Sequence, residues 1–297
     1  MLGAAAMLAG CQGVPTPAPA ASGLRVTAIE TFLGDMAQNV AGSRATVESL
    51  IPIGVDPHSF DPSPQDVVKL AQAQVIIANG AGLEGWLQKT IDNTGDQAAV
   101  IEASNGLKPR AARAGEVAQE GSIDPHFWLD PLDAIQYVQN IRDGLIRADP
   151  SGAGEYTRNA AAYIAQLNAL DQWVQAQVSA IPPERRLMVT DHDDFGYFAD
   201  RYGLRIVGTV IPSVSTDASP SAQQIASLED AIQATHARAI FLEAGANPQI
   251  ANQVAADTGV KVVSDLVTHS ITLSGGPAPT YIDMIKFDVT AIVSALK

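Results

Sequence analysis

The chain has 297 residues, 46% hydrophobic and 17% charged, and carries a formal net charge of −14. That length exceeds a typical single domain, and the composition is that of a folded globular protein and not a disordered one. The acidic balance argues against a nucleic-acid partner, which needs clustered Lys and Arg, and no run beyond the N-terminus approaches the ~20 apolar residues that span a bilayer.

Met1–Gly10 is a short apolar stretch, and Leu8-Ala9-Gly10-Cys11 resembles the lipobox of bacterial lipoproteins, where cleavage leaves the cysteine as a lipidated N-terminus. Residues 1–11 are therefore read as a lipoprotein signal segment ending in Cys11. Residues 12–23, rich in Pro, Ala and Gly, are read as a flexible tether. The basic residues expected ahead of the apolar run are missing, so the natural start is expected upstream. Cys11 is the sole cysteine; with no internal disulfide available, stability must come from packing.

From Leu24 onward, short β-rich runs alternate with helical patterns, which predicts parallel sheets flanked by helices. Strands are expected near Arg25–Ile29, Thr46–Ile53, Val75–Ala78 and Ala99–Ile101, with helices near Glu30–Val40, Pro64–Ala73 and Leu83–Thr90. Pro109–Ile123 reads as a loop and contains no histidine. Between Asp149-Pro150-Ser151 and Pro182-Pro183, apolar residues from Tyr156 to Val178 recur at three- and four-residue spacing, which predicts a helix long enough to join two lobes. The alternation then repeats, with strands near Leu187–Thr190, Arg205–Gly208, Ala239–Leu242 and Lys261–Val263. Helices fall near Phe195–Tyr202, Ser221–Thr235, Pro248–Thr258 and Thr280–Leu296. The predicted fold is α/β, with two lobes, each a mostly parallel sheet flanked by helices, joined by one long rigid helix. The boundaries are 24–150 for the N-terminal lobe, 151–181 for the linking helix and 182–297 for the C-terminal lobe.

Three of the five histidines stand beside aspartates: Asp56-Pro57-His58, Asp124-Pro125-His126 and Asp191-His192-Asp193. A carboxylate beside an imidazole attracts a cation and can orient the second ring nitrogen, which suits a metal site built from distant loops. In open α/β sheets such sites lie beyond the carboxyl ends of strands, where His58, His192, Glu243 and Asp265 are all expected. His236 reads as a helix-terminus residue, and Trp86 and Trp128 as packing residues. The glycines of Gly80–Gly85 lack the spacing and lysine of a phosphate loop.

With these residues placed, the chain resembles the metal-binding substrate-binding lipoproteins of bacterial ABC transporters, the zinc and manganese receptor family. The likeness runs from about Leu24 to the C-terminus. It is carried by Asp56-Pro57-His58-Ser59-Phe60-Asp61-Pro62, Gly82-Leu83-Glu84-Gly85-Trp86-Leu87, Asp124-Pro125-His126-Phe127-Trp128-Leu129-Asp130-Pro131 and His192-Asp193-Asp194-Phe195-Gly196-Tyr197-Phe198, with Gly276-Pro277 and Thr280-Tyr281 near the end. The resemblance implies one divalent ion held between the lobes by His58, His126, His192 and Asp265. Glu243 is a rival fourth ligand or an acceptor behind the ligands, and His269, four residues past Asp265, is close enough to compete.

Three imidazoles and one carboxylate suit Zn²⁺, with Mn²⁺ the alternative. A histidine at the third position resembles the zinc branch and mixed members of the family, although the histidine-rich loop of many zinc members is absent. The resemblance implies an extracytoplasmic, lipid-anchored, monomeric receptor that hands its ion to an ABC permease and is not an enzyme. The competing expectations are a manganese or iron receptor of the same family, an extracellular zinc hydrolase using Glu243 or Asp265 as base, and an adhesin in which the metal only stabilises the fold.

Overall fold

The computed structural model describes residues 23–94, 98–110 and 123–297. The lipobox cysteine Cys11, the tether through residue 22 and most of the loop before His126 lie outside the described residues.

The first lobe alternates strand and helix: β1 (Leu24–Ala28), α1 (Thr31–Ala41), β2 (Ala45–Ser49), α2 (Pro64–Gln72), β3 (Val75–Ala78), α3 (Leu87–Thr94) and β4 (Ala99–Glu102). All neighbours pair in parallel, in the order β2-β1-β3-β4. Parallel pairing needs a crossover between successive strands, and each helix supplies one. Sequence sets the helix starts: Ser63 accepts from the Asp66 N–H and the Asp66 side chain returns the bond, with Pro64 at the first helical position, a capping box that satisfies amides no helical carbonyl can reach. β3 is buried at every residue, as a strand covered on both faces must be.

After a short 3-10 turn at Phe127–Leu129 comes α4 (Pro131–Ala148), a helix absent from the sequence reading. Its signals are local: Asp130 accepts from the Leu132 N–H, and Pro131 opens the helix. Next is α5 (Ala153–Ser179), 27 residues and about 40 Å long at 1.5 Å per residue. Its buried stripe runs from Tyr156 through Ala160, Tyr163, Leu167, Leu170 and Val174 to Val178. The first half packs on α1 and α4, where Asn159 donates to the Val40 carbonyl at 3.1 Å.

The second lobe repeats the pattern: β5 (Leu187–Thr190), α6 (Gly196–Tyr202), β6 (Arg205–Thr209), α7 (Ala222–Thr235), β7 (Ala239–Glu243), α8 (Gln249–Thr258), β8 (Lys261–Leu266) and the closing α9 (Tyr281–Leu296), with strand order β6-β5-β7-β8. Near the far end of α5, Asp171 accepts from Arg201 of α6 at 3.0 Å and from the Tyr202 hydroxyl at 2.9 Å. One helix thus grips both lobes. The two sheets share a topology whose strand order reverses beside the first strand, and their carboxyl ends border a common cleft, where this class of sheet leaves room for a ligand.

β8 runs three residues further than the sequence predicts. Its pairing with β7 steps from Phe241↔Val263 to Glu243↔Leu266, so β8 spends one residue more than its partner over that interval. The extra residue is accommodated as a bulge: Asp265 adopts φ +74° and is exposed.

Candidate metal centre

Four imidazoles meet in the cleft. His58 lies on the loop between β2 and α2, and His126 just before the 3-10 turn. His192 follows β5, and His269 follows β8. All six ring pairs among them have centroids 5.1–5.5 Å apart, so the rings form a nearly regular tetrahedron. Nε2 of His126 lies 3.1 Å from Nε2 of His58 and 3.3 Å from Nε2 of His192. A tetrahedral ion with nitrogens at ~2.0–2.1 Å has N···N edges of about 3.3–3.4 Å. One ligand atom from each of the four residues lies within 4.8 Å of the rest.

Carboxylates aim these rings. Asp124 Oδ1 accepts from the His126 backbone N–H at 3.0 Å and contacts its Nδ1 at 2.9 Å. Asp191 Oδ1 does the same for His192, at 2.8 and 3.0 Å. Glu243 contacts Nδ1 of His269, while the Thr268 hydroxyl donates to Glu243 at 2.9 Å. An ionised carboxylate only accepts, so Nδ1 of each of these three rings carries a proton and Nε2 is turned toward the common centre. Nε2 of His269 is buried with no hydrogen-bond partner among the described residues, a costly state for a polar atom that a cation at the centre would relieve.

The cleft also polarises its own groups. Burial, then the charges of His269 and His192, pushes the His58 imidazole down to about 2, and burial with His192 beside it drives His126 well below its ordinary value. Burial opposes charge on His192 as well, yet the carboxylates of Asp191 and Asp194 outweigh it and hold that ring well above its usual pKa. Burial raises the Asp124 carboxyl to about 6 against the pull of Arg110, whose Nε donates to Asp124 at 2.6 Å and whose NH2 reaches Asp193 at 3.3 Å.

The His269 segment is held from the opposite lobe. Trp128 Nε1 donates to the Thr268 carbonyl at 2.7 Å, the Ile271 N–H to the Thr31 hydroxyl at 3.0 Å, and the Gly54 N–H to the Ser270 hydroxyl at 2.9 Å. Trp128 itself is fully buried and stacks on Phe32.

The structure therefore brings His58, His126 and His192 together and places His269 beside them. Asp265 is not among them: the bulge turns it to the surface, where it accepts from its neighbour Ser264. Glu243 stands behind His269 and is not a fourth member of the imidazole set. The signal for His269 was its position after a strand end, the same relation His192 has to β5, but it became visible only once β8 was extended to Leu266. His236 sits in a left-handed conformation at the end of α7, away from the group.

Two parallel-sheet lobes bridged by one long helix, with convergent side chains in the cleft between them, define a two-lobed binding protein. The chain belongs to the family described as zinc-uptake complex component A, periplasmic, whose model matches residues 26–295. It is 36% identical over 274 residues to the manganese-binding lipoprotein MntA of Halalkalibacterium halodurans, covering 92% of this chain and 89% of that one. It is 30% identical over 299 residues to the iron ABC transporter substrate-binding lipoprotein MtsA of Streptococcus pyogenes, covering 98% and 94%. Among solved structures, a manganese-bound periplasmic metal-binding protein from Candidatus Liberibacter asiaticus superposes with a TM-score of 0.81 at 28% identity, over 92% of this chain and 99% of that one.

Proposed function

We propose that the protein is an extracytoplasmic receptor that captures one divalent metal ion between its lobes, with His58, His126, His192 and His269 as ligands, and delivers it to an ABC permease. The observation that carries this reading is the tetrahedron of four imidazoles contributed by both lobes. Two come from segments of the first lobe and two from strand ends of the second, so an ion bound there ties the lobes together. Four protein donors fill a tetrahedral sphere and leave no position for a reacting water, which suits capture and not hydrolysis.

Zinc is the proposed cargo. It accepts four nitrogen donors in a tetrahedron, whereas Mn²⁺ and Fe²⁺ more readily take oxygen donors. The alternative, a manganese or iron cargo, draws its support from the relatives named for those metals. Lipid attachment at Cys11 and a monomeric state belong to the same proposal. Among the described residues no helix is long and apolar enough to cross a membrane.

Elemental analysis of protein purified without added metal, followed by competition between Zn²⁺ and Mn²⁺ in a chelator-buffered titration, tests the assignment. One equivalent of zinc, not displaced by equimolar Mn²⁺, is expected. Preferential retention of manganese or iron would favour the alternative, and no tight divalent binding would end the receptor reading.

A further inference from the structure

The cleft holds a second set of donors beside the imidazoles. Asp191, His192 and Glu243 each offer a ligand atom within 4.8 Å of the others, and this set contains two carboxylates where the first contains none. Asp191 immediately follows β5 and Glu243 ends β7, neighbouring strands of one sheet, so backbone pairing fixes their spacing. Asp194 stands close by, fully buried, with neither carboxylate oxygen hydrogen-bonded among the described residues. A buried carboxyl without a donor is unfavourable in its ionised form unless positive charge lies nearby.

This second set also has a way out. Asp191, Glu243 and His269 line an interlobe cavity of about 520 Å³, whose walls include Asp56 and Asp217, while His58, His126 and His192 do not line it. Asp191 and Glu243 thus belong both to this second set and to the cavity wall.

We propose that Asp191, His192 and Glu243 form a second, oxygen-rich position for a divalent cation, between the four-imidazole centre and the interlobe cavity, which the ion occupies on its way in or out. The inference rests on the four-imidazole reading, because His192 belongs to both sets. A neutral imidazole has one lone pair: with the proton on Nδ1, beside Asp191, it faces the four-imidazole centre, and the second position takes His192 only when that proton has moved to Nε2, so His192 serves one position at a time and the ion moves between them. Carboxylate donors shift preference toward harder ions such as Mn²⁺, so the two positions rank metals differently.

The test uses the full chain carrying His58→Ala and His126→Ala, which removes two imidazoles and leaves the second set intact. Mn²⁺ titration, followed by loss of the free-ion electron paramagnetic resonance signal, is expected to give one site per chain. Adding Glu243→Gln or Asp191→Asn is expected to weaken that residual site at least tenfold, and Asp194→Asn to weaken it by a smaller factor. Absence of Mn²⁺ binding in the double variant, or residual binding indifferent to Glu243→Gln, would overturn the proposal. Should the double variant melt early, the single His58→Ala chain carries the same test: Glu243→Gln must then weaken Mn²⁺ more than Zn²⁺, and equal losses overturn the proposal. Failure of the four-imidazole reading is distinguishable, since the double variant would then keep wild-type zinc affinity.

Discussion

Substitution of His269 by Asn separates the fourth imidazole from the carboxylate four residues before it. A structural zinc site of four ligands is worth on the order of 10–16 kcal/mol near neutral pH. Divided evenly, each ligand contributes about 2.5–4 kcal/mol, or roughly 10² to 10³ in affinity at ~1.4 kcal/mol per decade. His269→Asn also leaves Glu243 without the ring it contacts, so the loss is expected toward the upper end. Asp265 is exposed on a bulge and bonds only its neighbour among the contacts described, so Asp265→Ala is expected to change affinity by no more than about twofold, as surface substitutions do. Isothermal titration calorimetry in the presence of a competing chelator resolves both. Equal losses in the two variants, or a loss below about fivefold in His269→Asn, would refute the ligand assignment.

Three further outcomes are expected. Zinc binding at pH 7 should release a proton, because the ionised Asp191 carboxylate beside His192 holds that ring well above its ordinary pKa in the metal-free cleft and the ion requires a neutral ring. Affinity should therefore rise with pH below the raised His192 pKa, and calorimetry in buffers of different ionisation enthalpy that finds no proton release would contradict this. Arg110→Met should cost about 3–5 kcal/mol of stability, since it removes the cation paired with the buried Asp124 carboxylate, and urea unfolding measures it. Burial raises the Asp288 carboxyl to about 8 against the Val267 N–H that it accepts at 2.8 Å. The folded state then binds more protons than the unfolded one between ~4 and 8, so stability should fall as pH rises through that window. Asp288→Asn should flatten the decline, and thermal unfolding across that range with an unchanged slope would exclude this residue as its source.

Most of the architecture was legible because it is written locally. The alternation of β-rich runs with helical periods gives crossover units, and crossover units permit only parallel strands. The stripe from Tyr156 to Val178 gave the linking helix for the same reason: side chains three and four apart share a face. Neighbouring aspartates were legible as possible partners of the histidines, because residues one or two apart can exchange hydrogen bonds without help from the fold, but only the structure separates Asp124 and Asp191, which reach the rings of His126 and His192, from Asp56, which accepts from the His58 backbone N–H, and Asp193, which meets Arg110. The helix Pro131–Ala148 shows how a local signal can be eclipsed, since the Asp130-Pro131 cap lies inside the motif that draws attention to His126.

The fourth imidazole was decided elsewhere. Glu243 and His269 are separated by 25 intervening residues, and their contact exists only because β7 and β8 pair side by side. The bulge that turns Asp265 outward depends on how that pairing slips by one residue, a quantity no stretch of six residues contains. Local chemistry in the sequence determined which side chains are fit to hold a cation. Strand register, a property of two distant segments at once, determined which of them reach it.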